Sequence, residues 1–93
     1  MSPDLAARLE TVHIQVLAET AGYTLVGREN LVAFVAHSGS IGSTGMMTEN
    51  GLAYLVWREG RAMLASKGVE VPADEADLEA IRGFADDLKR VFG

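Results

Sequence analysis

The chain contains no cysteine, which excludes a disulfide scaffold and any thiolate metal site. Proline occurs only twice, at Pro3 and Pro72, and each is compatible with an expected helix start. Basic residues are few as well. Eight Lys and Arg stand against 13 Asp and Glu, for a net charge of −5, and they are scattered along the chain. Binding to a nucleic-acid backbone relies on clustered cations, so no nucleic-acid partner is expected. No apolar run approaches the roughly 18 residues of a membrane-spanning helix. The start Met1-Ser2-Pro3-Asp4 lacks the basic and continuous apolar regions of a secretory signal. The expectation is a cytoplasmic protein without a membrane partner.

What remains is rich in apolar residues: 48% of the 93 residues are hydrophobic and 23% are charged. That content offsets the ordering entropy of a globular fold. The length fits one domain over residues 1–93, burying roughly 60–65% of its unfolded surface. No internal repeat or long linker divides it.

Both ends carry helical signals. Ser2 suits an N-cap, Pro3 the first helical position and Asp4 the positive end of the helix dipole. Leu5, Leu9, Val12 and Val16 then recur on one stripe, predicting a helix over residues 3–20 stopped by Gly22. A second patch of Ala7, Ile14 and Ala18 lies beside that stripe. At the other end, Asp74 is the expected N-cap of a helix over residues 75–92, with Asp77 at its third position. Leu78, Ile81, Phe84, Ala85, Leu88, Val91 and Phe92 form its apolar face. Arg82–Asp86 and Asp86–Arg90 have the spacing of helical ion pairs.

The middle reads as strands joined by short turns. Residues 23–26 and 31–37 flank the turn Gly27-Arg28-Glu29-Asn30. Asn50-Gly51, the usual type I′ pair, separates residues 46–48 from 52–57, and Glu59-Gly60 leads into residues 61–66. The expected fold class is therefore α+β, an antiparallel four- to five-stranded meander with an amphipathic helix at each end. Residues 38–45, rich in Gly and Ser, are expected to be a loop between the two halves. This order of elements resembles roadblock-type dimerisation domains, except that 38–45 is too short for the helix those domains place between their second and third strands.

Two strands are apolar on both faces. Leu31, Ala33 and Val35 oppose Val32, Phe34 and Ala36, while Ala53, Leu55 and Trp57 oppose Leu52, Tyr54 and Val56. Such strands are normally covered on both faces. Two helices on one face would leave the other bare, and a bare apolar face of several hundred Å2 exceeds what monomers usually tolerate. One helix on each face is the alternative arrangement. The Ile14 patch also calls for a cover, and together these features favour a homodimer, with Leu31, Val35, Tyr54, Val56 and Trp57 as candidates for the covered surface.

Signals for chemistry are sparse. Gly39, Gly42 and Gly45 in the 38–45 loop allow a backbone nest for an anion, with Gly39, Ser40, Gly42, Ser43 and Thr44 as candidate ligand-binding residues. The spacing fits neither a Walker nor a Rossmann motif, and a flexible connection explains the loop equally well. His37 ends a core strand where that loop begins, and with Ser38, Ser40 and Glu49 it is the candidate for general-base catalysis. His13 reads as a partly buried, hydrogen-bonded side chain. Met46 and Met47 are expected at the start of an edge strand as adaptable contacts. The acidic run Asp74–Glu79 is ordinary helix-start chemistry. Neither a cofactor nor a metal is implied. The leading expectation is a non-enzymatic homodimeric interaction or scaffold domain, with a possible protein partner. An anion-binding module on the 38–45 loop and an enzyme using His37 are the alternatives.

Overall fold

The structure, a computed structural model, describes residues 2–93. Among them the chain forms helix α1 (Pro3–Thr11), strands β1 (Gln15–Glu19), β2 (Tyr23–Arg28), β3 (Leu31–Ala36), β4 (Ile41–Thr48), β5 (Gly51–Arg58), β6 (Arg61–Ser66) and β7 (Val69–Pro72), and helix α2 (Glu75–Phe92). All seven strands pair antiparallel in chain order within one sheet. The class is α+β, with an antiparallel meander between two amphipathic helices. The strand number is seven rather than four or five, and no helix interrupts β3 and β4.

The first extra strand arises where the helix expected over 3–20 ends early. Ile14 N–H donates to the Leu9 carbonyl and His13 N–H to the Glu10 carbonyl, both at 3.0 Å. His13 sits at φ +58°, and Val12 is the C-cap. This is a Schellman motif, with His13 in the left-handed position that glycine usually takes. Its apolar contact joins Leu9 and Ile14, both buried in the core. Residues 15–19 are thereby released into β1, an exposed edge strand. Gly22 is not a helix stop but part of the β1–β2 turn.

The expected 38–45 loop is also mostly strand. Only His37–Ser40 form a turn, closed by Gly39 N–H to Ala36 O at 2.8 Å, and β4 begins at Ile41. The last strand, β7, follows a two-residue turn at Lys67-Gly68, where both residues have positive φ. The Asn50-Gly51 hairpin is present but shifted: Thr48 pairs with Gly51, so Glu49-Asn50 form the turn, and Gly51 follows at φ +102°. That is a turn closed by a left-handed glycine rather than type I′.

α2 matches its expected limits. Asp77 N–H donates to the Asp74 carboxylate at 2.8 Å, and Leu78, Ile81, Phe84, Leu88 and Val91 are buried. These residues share one core cluster with Leu9 of α1, Ile14, Val26 of β2, Leu31, Ala33 and Val35 of β3, Met46 of β4, Ala53 of β5 and Leu64 of β6. Both helices therefore lie on the same face of the sheet. Arg28 ties β2 to α2: its guanidinium donates to Asp87 Oδ2 at 2.7 Å and to the Val12 carbonyl at 3.0 Å, and lies 5.3 Å from the Phe84 ring centre. Asp87 also receives Arg90, so the ion pairs of this helix run through Asp87 rather than the expected Asp86.

Candidate interaction surface

Strand alternation sends every second side chain away from the helices. Register aligns one row across all seven strands on that far face: Gln15, Gly27, Val32, Gly45, Tyr54, Ala65 and Glu70. Val32 is buried, and the residues flanking it are both glycines. Larger side chains lean over those glycines. A Cβ on Gly27 would lie 2.7 Å from Leu17 Cδ1, and one on Gly45 would lie 3.2 Å from the Tyr54 ring and overlap the Ala53 carbonyl oxygen. The two glycines thus let Leu17 and Tyr54 close over the row without any helix above it.

Neighbouring rows on the same face are equally apolar. Leu25 pairs with Phe34, Met47 with Leu52, and Val56 with Met63. Tyr23 meets Phe34 edge to face, with ring centres 5.1 Å apart. Formal charge on this face is confined to one corner, Arg58, Arg61 and Glu70. There Arg58 Nε donates to Glu70 at 2.9 Å. Hydrogen bonding to Glu70, then its charge, holds the exposed Arg58 guanidinium above its ordinary pKa. The middle of the face carries no formal charge, and no helix covers it.

The residues singled out from sequence divide between the two faces. Tyr54 and Val56 lie on the bare face. Leu31 and Val35 do not: they point beneath the helices and are buried in the core at 6% and 2% exposure. Trp57 is 53% exposed, but it shares the helix side with Leu55 and its partner Ala62, beyond the reach of α2. Met46 is core and Met47 exposed on the bare face, and their strand is the central one, not an edge. Leu17, Tyr23, Leu25, Phe34 and Met63 were missed for this surface. Without the pairing register, nothing in the sequence says which parity faces the helices.

The loop-based sites are rearranged. Of the three glycines in 39–45 only Gly39 has positive φ. Ser43 and Thr44 lie in the β3–β4 ladder, so the backbone amides there do not converge as a nest. Ser38 Oγ donates to Ser40 Oγ at 3.4 Å on an exposed turn. Glu49 sits at the far end of the eight-residue β4, about 25 Å of extended chain away, and does not meet His37. His13 is exposed rather than partly buried. His37 and Gly39 instead line a half-open cleft with Glu19 and Thr24. Among the described residues no three His, Asp or Glu side chains gather as metal ligands, and no helix is long and apolar enough to cross a membrane.

No family model, curated protein or solved structure matches this chain.

Proposed function

We propose that this chain is a non-enzymatic interaction domain that works as a homodimer, with the bare sheet face of one copy stacked on the same face of a second. The observation that carries this reading is the placement of both helices on one side, which leaves an apolar, centrally uncharged face on the other. Seven strands at about 4.8 Å spacing and about 20 Å length give a footprint of about 670 Å2 before side-chain relief is counted. That is close to the roughly 800 Å2 each partner contributes to a standard stable interface. Every 100 Å2 of apolar surface removed from water contributes about 2.5 kcal/mol before association costs are subtracted. Sheets stacked face to face meet at about 10 Å, a spacing that side chains of this size fill. Ile14 contributes nothing to this reading, because the chain's own core covers it, and Ala7 and Ala18, expected beside it, are exposed on separate elements, α1 and β1. In a chain without cysteine nothing calls for an oxidising compartment, and we place its work in the cytoplasm.

Light scattering at micromolar concentration tests the reading, with an expected mass twice the 9.9 kDa of the chain. Met47→Glu puts a charge on the central strand of the face, near its β4–β5 turn, on a half-exposed side chain, and should give a folded monomer by circular dichroism. Trp57→Glu, on the other side of the sheet, should leave the dimer intact. A monomeric wild-type protein, or a dimer lost with Trp57→Glu and kept with Met47→Glu, would overturn the proposal.

A further inference from the structure

At the end of the sheet formed by the β1–β2 and β3–β4 turns, the helices leave a gap on their own side. α1 approaches it with Leu5 near its start, and α2 with Phe92 at its end. Between them lies a half-open cleft of about 330 Å3, within the size range of small-ligand sites, roughly 300–1,000 Å3. Its sheet side is built by register. Glu19 pairs with Thr24, and Thr24 with Val35, so a carboxylate, a hydroxyl and an apolar side chain stand in one row on neighbouring strands. Side chains paired in this way lie about 5 Å apart at Cβ. His37, just beyond the end of β3, also lines the cleft. Leu5, Val35 and Phe92 make the rest an apolar wall.

We propose that this cleft binds a small organic cation, an amine carried on an apolar body. No Lys or Arg lines the cleft, and Glu19 is its one carboxylate. Among the described residues Glu19 makes no ion pair. The whole chain carries a net charge of −5, which draws cations towards it. A carboxylate beside a hydroxyl accepts the N–H groups of an ammonium, and a neutral imidazole adds one acceptor nitrogen. Phe92 brings an aromatic side chain to the lining, and such a ring attracts positive charge where a cation meets its face. A metal cation fits this site poorly, because one carboxylate, one hydroxyl and one imidazole against four apolar side chains is too small a ligand set. The site lies on the helix side of the sheet, so it stays open whether or not the bare face is covered, and it does not depend on the dimer reading.

Titration of the 15N-labelled protein at pH 8 with 2-phenylethylammonium, 2-phenylethanol and phenylacetate separates charge from apolar contact. The ammonium should shift the amides of Glu19, Thr24, His37 and Gly39 in a saturable way, at least tenfold more tightly than the alcohol, with phenylacetate not binding. Glu19 is exposed, so Glu19→Gln should keep the spectrum of the fold while weakening the ammonium at least tenfold. The proposal is overturned by equal binding of the alcohol, by preference for phenylacetate, by shifts that do not saturate, or by Glu19→Gln binding the ammonium as the parent does.

Discussion

His13 adopts φ +58° at the end of α1, a conformation costing a residue with a Cβ roughly 1–2 kcal/mol. The Schellman hydrogen bonds and the Leu9–Ile14 contact hold it there, and because its side chain is exposed its identity contributes little else. Replacing His13 with glycine should therefore raise stability by about 0.5–1 kcal/mol, once the greater unfolded-state freedom of glycine is subtracted. Urea denaturation measures this, and a destabilised His13→Gly would show that the imidazole makes contacts this geometry does not contain. The same residue explains an expectation that failed. A left-handed histidine leaves no mark in the sequence, whereas a glycine at position 13 would have announced the helix end. At Gly27 and Gly45 the residue type is visible, but the reason for it, a large neighbour leaning over, depends on which strands pair.

At the scale of elements, α2 is held to the sheet by its apolar face and by the Arg28–Asp87 pair. Both charged side chains are only partly exposed, at 22% and 17%, so removing one leaves the other poorly solvated. Arg28→Ala should cost about 1–3 kcal/mol, while Asp86→Asn on the exposed side of the helix should stay within roughly 0.5 kcal/mol. Equal effects in chemical denaturation would refute the placement of the anchor at Asp87. The limits of α2 were readable because capping, charge and a 3.6-residue period all agree over residues 74–92. β1 was not, because Val16 continues the helical stripe of Leu5, Leu9 and Val12, and a five-residue edge strand has no buried side to impose a period of two. β7 is equally exposed and equally hard to read.

The whole molecule is a one-sided sandwich: one layer of helices, one sheet, and a bare apolar face. If that face is closed by a second copy, folding and association are coupled. The melting temperature should then rise with protein concentration, because mass action favours the dimer. A hundredfold increase in concentration should shift it by several degrees in a domain of this size. Scanning calorimetry at 5 and 500 μM reads the difference, and an unchanged midpoint would argue for a monomer. Met47→Glu should abolish the dependence along with the dimer.

The sequence by itself determined the helix at residues 75–92, the cap at Ser2, strands expected at 31–37 and 52–57 and found at 31–36 and 51–58, the α+β class, and the fact that two strands are apolar on both faces. Each follows from local spacing or turn chemistry. Only the tertiary structure decided which face the helices take. Parity within a strand is blind to direction, so Leu31 and Val35 were as good candidates for the outer surface as Val32 and Phe34 until Ile81, Phe84 and Leu88 were found against them. The cleft at Glu19, Thr24 and His37 likewise joins residues from three elements whose meeting is set by strand register. A one-residue slip would turn each to the opposite face.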